Sequence, residues 1–280
     1  MKKVLKWIII IVLIFILIIL YARYIGTAGF NTDEYTIYDN NLPNRFDGLN
    51  IVHFSDIHYN RAININKVNK IVDEINLINP DIVVFTGDLI DKDMDLTKKD
   101  YNDLSNSLSK IKAKLGKYAI IGEDDFYKDL DKVTSVFEQS NFKYLDNSSD
   151  ILYKPDASSI FIGGLGPLTY DKDDIDKTIN DSDISYKIIL IHEPDIAQKI
   201  KSDYQINLLL AGHTHGGQIR LPYIGAIYNH EYAKKYHDNY YNLDGTNFYI
   251  SNGIGVSTIN YILWNRPSIN LYRIYNEKED

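Results

Sequence analysis

Five short apolar segments in this chain have the length of a β-strand, and each runs directly into acidic residues or histidine. Such segments, separated by stretches with helical spacing, are typical of an α/β domain with buried strands. Polar side chains that follow neighbouring strands meet at one edge of a sheet, where α/β folds place their ligand sites. The pattern therefore predicts one site assembled from distant parts of the sequence. Its candidate members are Asp56, His58, Asp88, Glu123, His192, His213 and His215.

The same pattern predicts the order of strands and helices. Apolar residues at helical spacing indicate one helix that ends before Pro80 and a second that is closed by Gly116. A third helix is indicated after Leu130. Strands are predicted at 49–54, 82–85, 118–121, 142–145, 151–153, 160–162, 187–191, 206–210, 248–250 and 269–274.

The amino terminus is nearly continuous Ile, Leu, Val, Phe and Trp from Val4 to Tyr21, close to the roughly 20 residues that cross a bilayer. Lys2 and Lys3 precede this run, Lys6 lies near its start and only Arg23 follows closely, so the positive-inside rule places the amino terminus in the cytoplasm. A cleaved signal peptide is the alternative, with an apolar region of ~7 to 15 residues. We expect an uncleaved, single-pass anchor in the cell membrane with the folded domain extracytoplasmic. The expected divisions are an anchor at 1–24, a linker at 25–47, the domain at 48–275 and a charged tail at 276–280.

Composition excludes several classes of site. A formal charge of -8, a pI near 5.4 and the lack of a basic stripe argue against nucleic acid as a partner. The absence of cysteine excludes disulfides, thiolate nucleophiles and Cys-ligated zinc. Carboxylates and imidazoles together suit Mn²⁺, Fe or catalytic Zn²⁺. The number of ligands is compatible with two ions bridged by a carboxylate, for which Asp88 is the candidate, with a shared hydroxide attacking phosphorus.

These motifs, in this order, resemble those of the calcineurin-like metallophosphoesterase family over residues 48–274. The Gly-His-Thr-His-Gly-Gly-Gln sequence at 212–218, together with the amino-terminal anchor, is most similar to the small membrane-anchored bacterial branch. That branch resembles enzymes that cleave phosphoesters or pyrophosphates, including UDP-2,3-diacylglucosamine of lipid A synthesis. The resemblance implies an α/β (α+β) fold, a β-sandwich of two mixed sheets flanked by helices, with two divalent metals at the strand ends.

The resemblance also implies a role for each candidate residue. It assigns the first metal to Asp56, His58, Asp88 and His215. It assigns the second metal to Asp88, His192, His213 and the third motif, where Glu123 stands. The backbone of Gly216 and Gly217 would approach a substrate phosphate, and Arg266 would contact phosphate or make a surface pair.

The third motif departs from the family pattern. The family has Gly-Asn-His-Asp or Gly-Asn-His-Glu, whereas this chain has Gly122-Glu123-Asp124-Asp125. Glu123 replaces a neutral asparagine ligand and adds a negative charge. Asp124 replaces a histidine that stabilises the transition state or protonates the leaving oxygen, and an ordinary aspartate, with a pKa near 3.9, is ionised at neutral pH. We therefore expect slower chemistry, a substrate with a better leaving group, or no turnover.

Two functional hypotheses follow from these residues, and a third requires their arrangement to be accidental. The first is a membrane-anchored phosphohydrolase acting on a phosphorylated small molecule or lipid. The second is a catalytically impaired relative that binds metal or a partner. A scaffold without metal would require every ligand-type residue to be accidental. Among the remaining histidines, His53 is expected in the core, and His230 and His237 are expected to be solvated.

Overall fold

The computed structural model describes residues 1–179, 183–200 and 204–276. Within them, two six-stranded sheets and one small hairpin account for the β-structure. The strands are β1 (Asn31–Tyr38), β2 (Leu49–Phe54), β3 (Ile82–Thr86), β4 (Gly116–Ile120), β5 (Lys143–Tyr144), β6 (Ser148–Tyr153), β7 (Ser159–Gly164), β8 (Lys187–Ile191), β9 (Leu208–Ala211), β10 (Arg220–Leu221), β11 (Gly225–Ala226), β12 (Tyr240–Leu243), β13 (Thr246–Ile250) and β14 (Ser268–Tyr275).

Both large sheets are mixed. The first has the order β1-β14-β2-β3-β4-β5, in which β2 to β5 are parallel and β14 runs antiparallel to β2. The second has the order β12-β13-β9-β8-β7-β6, with four parallel central strands and antiparallel edges. The parallel strands of each sheet therefore bring their carboxyl ends to a common edge.

The α-helices pack on the outer faces or lie apart from the body. They are α1 (Lys2–Leu20), α2 (Ile65–Ile78), α3 (Lys98–Leu108), α4 (Glu123–Gln139) and α5 (Ile175–Ile179). Asn64 caps α2 by accepting from the backbone N–H of Lys67, and Thr97 caps α3 through a capping box with Asp100. In the described residues, α1 and the π-helical turn Tyr21–Ile25 make a helix long and apolar enough to cross a membrane.

Three apolar layers hold this arrangement together. The inner layer joins the facing sheets through residues such as Ile51, Leu210 and Tyr272. A second layer packs α2, α3 and α4 on the first sheet, and a third covers the outer face of the second sheet. Buried apolar area of this kind supplies the main favourable free energy of folding. The expected sandwich of two mixed sheets flanked by helices is confirmed.

Three local predictions differ from the structure. Residues 31–38 of the expected linker form β1, which pairs in parallel with β14. The second predicted helix ends at Leu108 rather than at Gly116, because Leu115 already donates to the carbonyl of Asp81 and Gly116 begins β4. The acidic third motif is not a loop but the first turn of α4. Of the predicted charged tail, only Asn276 lies among the described residues.

Candidate metal centre

The site lies where strands of both sheets end, and its backbone is unusual. Five of the predicted ligands adopt the left-handed backbone conformation. Residues other than glycine rarely occupy it, and it costs about 1 to 3 kcal/mol for each residue. Such strain persists only where the surrounding structure enforces it, and it is concentrated at functional sites. The φ values are 53° for Asp56, 43° for His58, 57° for Asp88, 70° for His213 and 48° for His215.

Two glycines allow the strand ends to approach one another. Gly87 has a φ of 93°, and a Cβ there would lie 2.6 Å from Nδ1 of His192. A Cβ on Gly122 would overlap Oδ1 of Asp88. Glycine is therefore required at both positions for steric reasons, since any side chain would displace the carboxylate or the imidazole.

The first candidate metal group consists of Asp56, His58 and His215, all buried. Nε2 of His58 and Nε2 of His215 face each other at 3.0 Å, and His215 Nε2 lies 3.7 Å from Asp56 Oδ1. Asp56 also accepts from the backbone N–H of His213 at 3.0 Å, which ties the two parts of the site together. Two imidazole nitrogens and a carboxylate thus converge on one point.

The second group consists of Asp88, His192 and His213. Nδ1 of His192 donates to the carbonyl of Thr86 at 2.7 Å. The other ring nitrogen, Nε2, lies 3.3 Å from Asp88 Oδ2 and makes no hydrogen bond, so it is available to a metal. Nε2 of His213 is held by the carbonyl of Glu231 at 2.6 Å. Backbone carbonyls therefore set the orientation of both rings, as they do for metal-ligating histidines.

Asp88 joins the two groups. Its Oδ2 lies 3.5 Å from Nε2 of His58 in the first group and 3.3 Å from Nε2 of His192 in the second. Its Oδ1 accepts from the backbone N–H of Asp124 at 3.0 Å. Burial raises the pKa of Asp88 to about 6. The position between the groups is the one predicted for a bridging carboxylate.

The carboxylates of the pocket favour positive charge at His58 and His192, whereas burial and the charge of His58 hold the pKa of His215 well below its ordinary value. Burial alone would lower the pKa of His58, but the carboxylates of Asp124, Asp88 and Asp56 raise it to about 9. Burial is likewise outweighed at His192, where Asp88 holds the pKa well above its ordinary value. Protons and metal ions compete for the same ligand atoms. Buried carboxylates and imidazoles within 4.8 Å of one another are therefore a donor set that fits divalent metal.

A third group, which the sequence analysis did not predict, contains His58, Asp91 and Asp124. Nδ1 of His58 lies 3.2 Å from Asp124 Oδ2 and 3.7 Å from Asp91 Oδ2. Lys92 Nζ lies 3.1 Å from Asp124 Oδ1. Burial would raise the pKa of Asp124, but His58 and Lys92 hold it well below its usual range. Asp124 is thus an anionic partner of a predicted ligand, on the opposite side of the ring from the first metal group.

Glu123 lies at the edge of the site. It belongs to none of the three groups that the described residues form. Its carboxylate accepts from Thr169 Oγ1 at 3.2 Å and lies 3.4 Å from Lys92 Nζ. Burial would raise its pKa, but the charges of His213, Lys92 and His192 lower it. The role of Glu123 as a ligand of the second metal stays a prediction.

Asp125, the last residue of the third motif, is a buried connector between loops. It accepts from the backbone N–H groups of Ile90 at 3.0 Å and Gly122 at 3.2 Å. Burial and the charge of Asp88 raise its pKa to about 7. The sequence analysis gave no role to Asp91 or Asp125, although each lies within three residues of a predicted site residue.

Of the three remaining histidines, His53 lies in the core and His230 lies beside the site. His53 is buried as predicted, within hydrogen-bonding distance of Tyr272 at 3.2 Å and Thr86 at 2.8 Å. The prediction that His230 is solvated is wrong: its ring centroid lies 5.4 Å from that of His213 and 5.9 Å from that of His215. Burial and the charge of His213 lower the pKa of His230 to about 4. No local sequence signal marks this residue.

The predicted substrate-binding residues occupy different surroundings. Gly216 is buried against the side chains of Asn252 and Asn265, and Gly217 lies beside Ala226. Arg266 is exposed and donates to the side chain of Asn31 at 3.4 Å. The surface pair is thus formed for Arg266, and phosphate contact by all three stays a prediction.

Comparisons with known proteins agree with the site. The family model for calcineurin-like phosphoesterases matches residues 49–217. The chain is 34% identical to the uncharacterized metallophosphoesterase YkuE of Bacillus subtilis over 91% of this chain and 88% of that one. It is 26% identical to YkoQ of the same organism, covering 94% and 99%. It is also 30% identical to a transmembrane protein with metallophosphoesterase domain of Danio rerio, over 64% of this chain and 43% of that protein.

The facing sheets and the buried carboxylate and imidazole groups at their strand ends define an α/β sandwich protein with a metal-binding centre. The matched family model spans more than half of the chain and includes all seven candidate ligands. The chain belongs to the calcineurin-like phosphoesterase family, and this membership supports phosphoester hydrolysis as its general activity.

Proposed function

We propose that the protein is a phosphohydrolase that uses two divalent metal ions to cleave a phosphoester or pyrophosphate bond. The observation that carries the proposal is the position of Asp88 between two buried pairs of histidines: His58 and His215, which lie with Asp56, and His192 and His213. Manganese, iron and zinc all suit such ligands. When bound, two such ions polarise phosphoryl oxygens and lower the pKa of water.

The protein's own residues orient the ligands. Thr86 and Glu231 hold the rings of His192 and His213 through their backbone carbonyls. Asp124 Oδ2 lies 3.2 Å from Nδ1 of His58, and we propose that it holds a proton on that nitrogen and leaves Nε2 for metal. Asp124 is thereby proposed as a positioning residue, because a carboxylate held ionised by His58 and Lys92 has no proton to give to a leaving group.

We propose that α1 anchors this site to the cell membrane, with the amino terminus cytoplasmic and the domain outside. The apolar helix and the positive residues before it support the anchor and its orientation. A relative whose name describes a transmembrane protein supports it further. An anchored site meets lipid-linked or envelope phosphates readily, so the proposed substrates include lipid pyrophosphates of the UDP-2,3-diacylglucosamine type.

The acidic third motif favours a second candidate, a relative that binds metal but has lost turnover. Glu123 and Asp124 place two ionised carboxylates where the family has neutral or cationic groups. Their negative charge opposes a phosphate that approaches the metals. Replacing the pair by Glu123→Asn and Asp124→His distinguishes the candidates. A rise from no measurable turnover supports the impaired relative, whereas a loss of existing turnover shows that the acidic pair takes part in hydrolysis.

The first experiment measures metal content and turnover on the full-length protein in detergent. Elemental analysis is paired with hydrolysis of bis-p-nitrophenyl phosphate in Mn²⁺. We expect two metal ions per chain and turnover that disappears in Asp88→Asn. Asp244→Asn is the matched control, because Asp244 is an exposed aspartate with a similarly left-handed φ of 50° in the β12–β13 turn.

Each result has a distinct consequence. A metal-free protein would refute the proposed centre. Two bound metals without turnover on monoesters or diesters would leave the impaired relative as the better description. An equal loss in Asp88→Asn and Asp244→Asn would show that the assay reports general damage rather than the site.

A further inference from the structure

Six large apolar side chains form an exposed surface, the apolar rim, beside the metal centre. They make up more than half of the exposed large apolar side chains that the described chain has beyond Ile25. Scattered exposed apolar residues are ordinary in soluble proteins, whereas a group of them on neighbouring segments marks an interaction surface. The apolar rim consists of Tyr223, Ile224, Ile227, Tyr228, Ile259 and Trp264.

The rim is built on the β10–β11 hairpin and the loop beside it. The hairpin turn carries Tyr223 and Ile224 at its tip, with Tyr223 fully exposed and in the left-handed conformation at a φ of 66°. The neighbouring loop is joined to the hairpin by backbone bonds: Arg220 donates to the carbonyl of Leu263 at 3.0 Å, and Leu263 donates to Gln218 at 3.0 Å. The two segments therefore present their apolar side chains from one structural unit.

This unit is bonded directly to the end of the apolar helix. The backbone N–H of Ile262 donates to the carbonyl of Ala22 at 3.0 Å, and Ala22 is buried. A Cβ on Gly26 would overlap the carbonyl oxygen of Ile262, so the two backbones are in close contact. Trp264 therefore lies two residues after Ile262, which is hydrogen-bonded directly to the end of the apolar helix.

The composition of the rim matches the bilayer interface. The end of a membrane-crossing helix lies at the level of the lipid headgroups, and tryptophan and tyrosine are enriched there. Tyr21 and Tyr24, at the end of the helix, are exposed like the rim residues. Isoleucine at a hairpin tip adds apolar area of the kind that inserts into the boundary between headgroups and acyl chains. The rim thus continues the surface that the helix presents to lipid.

The same unit leads into the metal centre. The hairpin begins five residues after His215, and Tyr228 contacts His230, with ring centroids 5.3 Å apart. His230 in turn contacts His213 and His215. Tyr228 of the rim is therefore connected to both candidate metal groups through His230.

We propose that the apolar rim inserts into the interface of the bilayer that α1 crosses, so that the metal centre receives the phosphate of a lipid from that bilayer. This inference rests on the proposed membrane anchor. Direct bonding of the rim to the end of α1 favours the bilayer over a second copy of the chain or another protein as the occupant.

The two tryptophans of the chain allow the anchor and the rim to be tested separately. Trp7 lies in α1 and Trp264 in the rim, and the sequence contains no other tryptophan. The full-length protein is reconstituted into phosphatidylcholine and phosphatidylglycerol vesicles that contain brominated phosphatidylcholine. Trp7→Phe then reports on Trp264 alone, and Trp264→Phe reports on Trp7 alone.

A third variant supplies the matched control. Tyr153→Trp, made in the variant that lacks Trp7 and Trp264, places a single tryptophan at an exposed site on β6. Residue 153 pairs with the amino-terminal end of β7, away from the strand ends that form the metal centre. We expect brominated lipid to quench Trp7 and Trp264 at least twofold and to leave the control tryptophan unquenched. Aqueous iodide should quench only the control strongly.

The outcomes separate the two proposals. Quenching of Trp7 without quenching of Trp264 would overturn the rim and leave the anchor intact. Failure to quench Trp7 would overturn the anchor and, with it, the rim. A Trp264 that is shielded from iodide but not quenched by brominated lipid would show that a protein covers the rim, which also overturns the proposal.

A double variant of the hairpin tip completes the test. The double variant Tyr223→Ser and Ile224→Ser removes the apolar tip of the hairpin without altering any candidate ligand. We expect quenching of Trp264 by brominated lipid to fall at least twofold in this variant, while the metal content is unchanged. Unaltered quenching in the double variant would show that the hairpin tip does not enter the bilayer.

Discussion

Asp124 provides the sharpest test of how the third motif works. The structure places its Oδ2 3.2 Å from Nδ1 of His58. The other ring nitrogen of His58, Nε2, is the one that faces His215. If Asp124 positions His58 for metal, neutralising it should weaken metal binding directly. If it were instead a proton donor, turnover would fall while metal binding stayed the same. Asp124→Asn and Asp124→Ala separate these roles.

The magnitude follows from the geometry. Unit charges 3.2 Å apart interact by about 5 kcal/mol at an effective dielectric constant of about 20, before the cost of desolvation is subtracted. Outer partners of metal-ligating histidines typically contribute 10- to 100-fold to metal affinity, which is about 1.4 to 2.8 kcal/mol. Asparagine still offers an acceptor to Nδ1, so we expect about a tenfold loss for Asp124→Asn and about a hundredfold loss for Asp124→Ala.

The assay is Mn²⁺ binding to chelator-stripped, full-length protein, measured by competition with a fluorescent chelator. Thermal unfolding of the metal-free variants checks that they fold. Asp93→Asn is the matched control, because Asp93 follows Asp91 on the same segment but is exposed and pairs with Arg61. Wild-type Mn²⁺ affinity in both folded Asp124 variants would refute the positioning role.

Three further predictions address the close packing, the missed histidine and the core histidine. Gly122→Ala should reduce Mn²⁺ affinity more than tenfold, because the new methyl group overlaps Oδ1 of Asp88. Gly29→Ala is the control in the same titration, because a methyl group at Gly29 has open space around it. Equal affinities in the two variants would contradict the steric argument. His230→Gln should lower the turnover of bis-p-nitrophenyl phosphate at least tenfold with unchanged metal content, since a neutral imidazole beside His213 and His215 is lost. A parallel loss of metal would show that His230 supports the metal ligands instead. Burial lowers the pKa of His53 to about 3, so between that value and about 6.5 only the unfolded chain binds the proton. The contribution of neutral His53 to stability is therefore complete above pH 6.5 and is lost at about 1.4 kcal/mol per pH unit as the pH falls. Urea unfolding between pH 7 and 5 should show a shallower decline in His53→Gln, and identical slopes would rule out this titration.

The parts of the fold that were predicted have local signals strong enough to identify them. β2, β3, β8 and β9 are predominantly apolar because parallel strands in a sandwich are buried on both faces, and their predicted positions agree with the structure to within two residues. β1 was missed because it is an edge strand with polar residues at most positions. Its place in the sheet depends on pairing with β14, which lies more than two hundred residues later in the chain.

The candidate site divides in the same way. Asp56, Asp88, His192, His213 and His215 were predicted because each follows an apolar run, and the common edge of parallel strands brings them together. The relation between Asp124 and His58 was not predicted, because it depends on the first turn of α4 lying against the end of β2. His230 lies in a polar, tyrosine-rich segment whose sequence resembles that of an ordinary surface loop.

The sequence by itself determined the elements, the ligand chemistry and the apolar helix, because burial, strand length and side-chain type are properties of short segments. Only the tertiary structure shows that Asp88 lies between the two groups, that Asp124 lies beside His58, and which apolar side chains stand beside the end of α1. Those relations depend on distances between residues far apart in the chain. No local pattern carries such distances, since they arise only when the two sheets pack and bring their strand ends together.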